Sequence, residues 1–145
     1  LTKQLWKGHY DVTWAEVEML IEILVNKIKK TGIEFDRIAT ISRGGLVPAR
    51  LIADHFDTKK IIVNPKKISK KTLFVDDIYD SGSTFHKIFS LVQTPENFLY
   101  ATLIARKDMK YPKSLTYAKK TQGREYVVFP WDRFEFKRTK TNIKD

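Results

Sequence analysis

"TLFVDDIYDSGSTF", Thr72 to Phe85, decides how this chain is read. A short apolar run ends on two adjacent carboxylates, Asp76 and Asp77. A third, Asp80, precedes Ser81-Gly82-Ser83-Thr84, and a new apolar segment begins at Phe85. The near-continuous apolar run suits a strand buried on both faces of a parallel sheet. Beyond the loop, Phe85, Ile88, Phe89 and Val92 recur at helical spacing. Strand, tight loop and helix together form the repeating unit of α/β sheets.

Working outward, the same unit recurs. "RIATISRGG" (37–45) reads as a short strand, Ile38 to Ile41, that breaks at two glycines; "LVPARLIADHF" (46–56) follows as a helix, with Pro48 tolerated in its first turn. "KKIIVNP" (59–65), "FLYATLIAR" (98–106) and "EYVVFP" (125–130) read as further strands. Near the start, Thr13 and Glu16 have capping-box spacing. Val17, Leu20, Ile21, Leu24 and Ile28 then give a helical stripe that Gly32 stops. The pattern predicts an α/β fold with a mainly parallel central sheet flanked by helices. In that class ligands sit beyond the carboxyl ends of the strands. The loops "SRGG" and "DDIYDSGST" should therefore stand side by side at one sheet edge.

The 145 residues are near the commonest domain size, and 42% hydrophobic content fills one core, so a single domain over 1–145 is expected. Residues 1–12 read as an N-terminal extension and 137–145 as a frayed tail. The chain has no cysteine, which excludes disulfides and thiolate metal sites. No apolar run approaches the ~20 residues of a membrane span, and the first residues lack a signal peptide's apolar stretch. A soluble, cytoplasmic protein is expected. A net charge of +10 attracts polyanions, nucleic acid or a heavily phosphorylated small molecule, but on charge alone a solvated lysine-rich surface is the simpler reading.

The loop after Asp77 has the parts of a phosphate cradle. Gly82 lets the backbone bend closely, hydroxyls flank it, and a helix start follows. No Gly-Lys-Ser/Thr follows a four-residue spacer, so it is not a Walker loop. Alone, "SGST" is also an ordinary strand-to-helix turn. Asp76 and Asp77 repel one another and need a counter-charge or solvent. Mg²⁺ shared with a phosphorylated ligand is one answer; a helix cap and an arginine partner are another.

"LFVDDIYDSGSTF" closely resembles the ribose-phosphate signature of type I phosphoribosyltransferases. "ISRGGLVPARLIAD" is similar to the pyrophosphate-loop region of that family's xanthine–guanine branch, and "EYVVFPWD" to its carboxyl-terminal purine-site segment. The resemblance spans roughly Trp14 to Asp132. It implies the type I phosphoribosyltransferase fold with a small C-terminal hood. It also implies transfer of 5-phosphoribosyl from phosphoribosyl pyrophosphate (PRPP) to a 6-oxopurine (guanine, xanthine or hypoxanthine) with Mg²⁺, in purine salvage, by a homo-oligomer, dimer or tetramer.

Carried over by position, Asp80, Ser81, Gly82, Ser83 and Thr84 would hold the 5′-phosphate, with Asp80 also the catalytic acid/base near purine N7. Asp76 and Asp77 would face ribose and metal. Ser42, Arg43 and Gly44 would hold pyrophosphate, and Ser42–Arg43 is the place for the strained peptide this loop often carries. Lys107 would contact the 6-oxo group, Tyr126 would stack on the purine, and Val127 would offer backbone groups. By itself Lys107 reads more simply as an exposed lysine after a strand. Asp132 would hold a second metal or be a solvated carboxylate. Trp131 reads as packing, and His9, His55 and His86 show no ligand spacing.

One departure stands out. The branch closes a long mobile loop over its substrates, between the pyrophosphate-loop helix and the "VDD" strand. Here "NPKKISKK" (64–71) leaves only a shortened flexible stub. Two alternatives therefore stay open: a PRPP enzyme with another acceptor, and a nucleotide- or RNA-binding regulator on the same fold. Nucleic acid is not favoured, because Asp80 and Lys107 are retained and no aromatic-rich basic stripe is present.

Overall fold

β1 (His9–Asp11) leads into Thr13, whose extended backbone and hydroxyl cap the first helix by accepting from Glu16 N–H at 3.1 Å. Helix α1 (Trp14–Thr31) ends where Gly32 takes φ +71° and donates its N–H to Lys29 O. These are the start and stop signals that the sequence predicts. The fold comes from a computed structural model that describes residues 8–144; residues 1–7 of the expected extension and Asp145 of the tail lie outside the described residues.

After α1 come β2 (Arg37–Thr40), α2 (Leu46–Ala53), β3 (Ile61–Val63), β4 (Thr72–Tyr79), α3 (Ser83–Phe89), β5 (Leu99–Ala105), β6 (Leu115–Lys120) and β7 (Tyr126–Val128). A 3-10 turn over Pro130–Asp132 then precedes α4 (Arg133–Lys144). The main sheet has five strands in the order β3-β2-β4-β5-β6, and every pairing is parallel. The expected α/β architecture is therefore present. Strand β5 is buried at every position, as its apolar run requires.

Strand alternation divides the core. Leu73 and Val75 of β4 join the cluster containing Leu20, Leu24, Ile28 and Ile52, so α1 and α2 cover one face. Phe74 points the other way, with Phe85, Ile88 and Tyr100, so α3 covers the opposite face. Full burial of each such side chain contributes about 1.5–3 kcal/mol. β1 pairs in parallel with β7 in a separate two-stranded sheet, and Val12 N–H extends the contact to Val128 O at 2.9 Å. This small sheet is the hood, and Trp131 packs flat on Phe129 beneath it, 4.9 Å between ring centroids.

Three elements depart from the sequence reading. The expected N-terminal extension includes β1. The stretch 137–144, expected to fray, continues as α4. Strand β6 closes the sheet as a half-buried edge; Lys119 on it reaches Glu16 of α1 at 2.8 Å. The stub at 64–71 is also tied down. Ile68 is 2% exposed, its N–H donates to Leu91 O, and its carbonyl accepts from Gln93 N–H. Among the described residues, no helix is long and apolar enough to cross a membrane.

Candidate active site

Thr40 lies opposite Val75 in the parallel register, so the loops leaving β2 and β4 emerge together at the carboxyl edge. Between them lies a cleft of about 390 Å³, lined by Ser42, Gly44, Asp76, Asp77 and Asp80 through Thr84, with Tyr100 at its floor. Most of the residues singled out from the two loops thus meet in one place.

The first loop is shaped by glycine. A Cβ on Gly45 would fall 2.0 Å from Thr40 Oγ1 and 2.9 Å from Val75 O; one on Gly44 would fall 2.7 Å from Asp77 Oδ2. The loop backbone therefore lies directly on β4 and its carboxylates. The Ser42–Arg43 peptide is cis, at the position that the resemblance singles out for unusual geometry. Asn64 clamps this loop: Ser42 N–H donates to Asn64 Oδ1 at 3.0 Å, and Asn64 Nδ2 donates to Ser42 Oγ at 2.9 Å. Asn64 itself has φ +52°, a conformation asparagine tolerates better than most residues.

In the second loop Gly82 has φ +91°, and a Cβ there would strike the Tyr79 hydroxyl at 2.7 Å. Gly82 is the N-cap of α3 and offers no side-chain cap. The loop hydroxyls interact instead: Ser81 Oγ accepts from Ser83 N–H at 3.3 Å and donates to Ser83 Oγ at 3.1 Å. Bent backbone, clustered hydroxyls and a helix start together suit an oxyanion.

Asp76 is buried. Its Oδ1 accepts from Asp77 N–H at 2.8 Å, and its Oδ2 accepts from the Tyr100 hydroxyl at 3.2 Å. Asp77 Oδ1 accepts from Ile78 N–H at 2.7 Å. Burial pushes both carboxyls up, and Asp77 rises well above the ordinary range because Asp76 also repels it. Burial and the neighbouring Asp76 charge push the Tyr100 hydroxyl upward too. Asp132 is pushed up to about 6, by burial first and then by the charge of Asp77. Among the described residues none of these three carboxylates has an ion-pair partner, and no three His, Cys, Asp or Glu side chains converge on a metal position. Uncompensated carboxylates without a closed cage suit a hard cation that takes the rest of its shell from substrate oxygens. On this donor chemistry Mg²⁺ fits.

Other expected residues are placed differently. Lys107 turns away from the cleft; its amine lies 3.5 Å from Gln122 O and lines a separate depression with Asp108, Met109 and Tyr111. The preceding residue, Arg106, turns inward, 9% exposed, and its Nε donates to Asp80 Oδ1 at 3.0 Å. Sequence reasoning missed Arg106, although a cation directly following a fully buried strand was a visible signal. Arg43 sends its guanidinium to Glu135 of α4 at 3.0 Å, and the Tyr126 ring stacks on Phe136 of the same helix. Val127 is buried in β7. His9 Nε2 lies 3.5 Å from Asp11 Oδ2, and its ring packs on that of Phe136 with centroids 4.9 Å apart.

No family model matches the chain. It is 25% identical to the xanthine-guanine phosphoribosyltransferase of Nitratidesulfovibrio vulgaris over 150 aligned positions, covering 90% of this chain and 89% of that one. Among solved structures it is similar to the xanthine-guanine-hypoxanthine phosphoribosyltransferase of Helicobacter pylori. There the TM-score is 0.73 at 20% identity, over 92% of this chain and 99% of the other. It is also similar to a purine phosphoribosyltransferase from Pyrococcus horikoshii, with a TM-score of 0.70 at 22% identity over 86% and 94%. The cis-peptide loop, the glycine-bent hydroxyl loop and the paired carboxylates lie on a sheet of the same architecture as these structures. The chain has the type I phosphoribosyltransferase fold and is xanthine–guanine phosphoribosyltransferase-like.

Proposed function

We propose that this protein transfers the 5-phosphoribosyl group of PRPP to a 6-oxopurine, releasing pyrophosphate and a nucleoside 5′-monophosphate, as in purine salvage. The single observation that carries the reading is the shared cleft: an anion-suited loop at Ser81–Thr84 faces the Ser42–Gly44 loop across Asp76 and Asp77. Curated and solved purine phosphoribosyltransferases of similar sequence and fold support the same chemistry.

In this reading Ser81, Gly82, Ser83 and Thr84 bind the 5′-phosphate through backbone N–H and hydroxyl donors. Displacement at the anomeric carbon builds positive charge on the sugar, and the buried carboxylates of Asp76 and Asp77 stabilise it electrostatically. Ser42, Gly44 and the Arg43 guanidinium hold the departing pyrophosphate. Bound Mg²⁺, held by Asp76 and Asp77 with Asp132 available to a second ion, would take up charge on that leaving group. Asp80 accepts or returns a proton at the purine; one carboxylate oxygen is held by Arg106, and the other has no hydrogen bond among the described residues. Tyr126 supplies a ring face to the base and Val127 backbone groups. The 6-oxo preference rests on the likeness to the xanthine–guanine enzymes, because Lys107 points elsewhere.

The deciding experiment incubates the full chain with PRPP, Mg²⁺ and a panel of purines and pyrimidines, and measures nucleotide and pyrophosphate together. Both products with guanine, xanthine or hypoxanthine support the proposal. Products only with another base would move the acceptor. No products, with tight salt-sensitive RNA binding, would favour the regulator reading, which draws on the engagement of Arg43 and Tyr126 by α4.

A further inference from the structure

We propose that Arg106 is a positioning residue for the transfer reaction, fixing Asp80 against the base-facing segment that ends at Tyr126. The inference rests on the function proposed above and adds a residue to it. Arg106 Nε donates to Asp80 Oδ1 at 3.0 Å, while Nη1 donates to Glu125 O at 2.7 Å and Gly123 O at 3.3 Å. One rigid, planar guanidinium therefore spans the loop after β4 and the turn before β7. Its own backbone is anchored at both ends: Arg106 N–H donates to Tyr79 O at 2.7 Å, and its carbonyl accepts from the Tyr111 hydroxyl at 2.7 Å.

The receiving turn is built for this cation. Glu125 folds its carboxylate back onto the N–H groups of Gln122 and Gly123, and Thr121 Oγ1 donates to Gly123 O while accepting from Lys107 N–H. Those bonds hold the turn and leave two carbonyls facing the guanidinium. A buried arginine needs such partners, since an unpaired buried charge is costly. Lysine at this position would reach one partner at a time and could not bridge both loops.

Asp80 alone is a half-exposed loop carboxylate, free to rotate about its side-chain bonds. With Oδ1 held, its other oxygen keeps a constant direction and distance relative to Tyr126, which is what proton transfer to a stacked base requires. Arg106 thus acts through Asp80 and not on the substrate.

The test uses the full chain in the PRPP assay with Arg106→Gln, Arg106→Lys, Asp80→Asn and the Arg106→Gln/Asp80→Asn double variant. Arg106→Gln is expected to lower kcat by about ten- to a hundredfold and to leave KM for PRPP within about threefold. The double variant should be no slower than the worse single variant, because the two residues act as one unit. Arg106→Lys should recover only part of the loss. Losses that multiply in the double variant, or an Arg106→Gln defect confined to thermal stability and PRPP binding, would overturn the inference while leaving the enzyme reading intact. A wild-type chain without turnover on any base overturns both.

Discussion

The ring of Phe136 stacks on that of Tyr126, with centroids 5.5 Å apart and planes 18° from parallel. The adjacent Glu135 forms an ion pair with Arg43 at 3.0 Å. An aromatic ring and a neighbouring carboxylate from α4 thus occupy the partners that the proposed function assigns to purine and pyrophosphate. The Arg43 and Glu135 side chains are 72% and 57% exposed, so their pair contributes at most about 1 kcal/mol. An aromatic pair adds about 0.5–1.5 kcal/mol. Substrates can displace contacts of this strength, at a modest cost in affinity. Glu135→Gln combined with Phe136→Ala should lower KM for PRPP and purine by roughly three- to tenfold, with kcat little changed. A rise in either KM would instead make α4 a wall of the substrate site.

The pH dependence of stability should identify Asp132. Its carboxyl sits at about 6, against an ordinary value of 3.8. Acidification protonates the folded chain first, while the unfolded chain still carries the charge, so this group stabilises the fold as pH falls from about 7 toward 4. Asp76 and Asp77, also raised, act in the same direction. A shift of this size corresponds to about 3 kcal/mol for a shielded group, and solvent screening of a half-exposed carboxylate reduces the expectation to about 1 kcal/mol. Asp132→Asn should therefore be more stable than the wild type at pH 7 and equal to it near pH 4, measured by denaturant melts without divalent ions. A gap that stays constant with pH would rule out the repulsion between Asp132 and Asp77.

The two adjacent glycines should separate folding from function. In Gly45→Ala the new methyl meets Thr40 Oγ1, which is buried and donates to Val75 O at 2.6 Å. Overpacking together with that lost hydrogen bond should cost about 2–4 kcal/mol and lower Tm by roughly 10 °C. In Gly44→Ala the methyl meets the Asp77 carboxylate at 2.7 Å, a side chain that can move aside. That variant should melt closer to the wild type and lose turnover. Equal thermal losses in both would show that the loop is packed as one rigid piece.

The central strands and their loops were legible because burial on both faces leaves an apolar run that only a parallel sheet can use, as in Leu99–Ala105. Strand β6 was hidden because an edge strand is half-wet, and it ends on Lys119 and Lys120, whose ammonium groups sit over the rings of Tyr10 and Tyr111. Helix α4 has too few apolar residues to show a stripe, and among its contacts are those of Glu135 with Arg43 and of Phe136 with Tyr126 and His9, which no local spacing encodes. Arg106 went unread while Lys107 was singled out, because which of these two residues after β5 turns inward depends on a one-residue phase. A strand buried at every position gives no alternation from which to read that phase. Asn64 was passed over because its role is to hold Ser42 across the sheet edge, a contact that no local spacing encodes.

The stub between β3 and β4 leads to the last prediction. Ile68 bridges to Val92 and exchanges backbone hydrogen bonds with Leu91 and Gln93, so the middle of this segment is part of the core beside α3. A lid residue can be truncated without loss of stability; Ile68→Ala should cost about 2–4 kcal/mol through the cavity it leaves. With its centre fixed, a segment this short cannot close over the cleft and exclude water. Exclusion of water is what normally protects an activated sugar phosphate from hydrolysis. The chain should therefore release pyrophosphate from PRPP without any base, at a rate that Asp76→Asn abolishes. Addition of purine should suppress this hydrolysis by competing with water for the anomeric carbon. Complete dependence of pyrophosphate release on added base would mean that another segment, α4 or a second copy of the chain, closes the site.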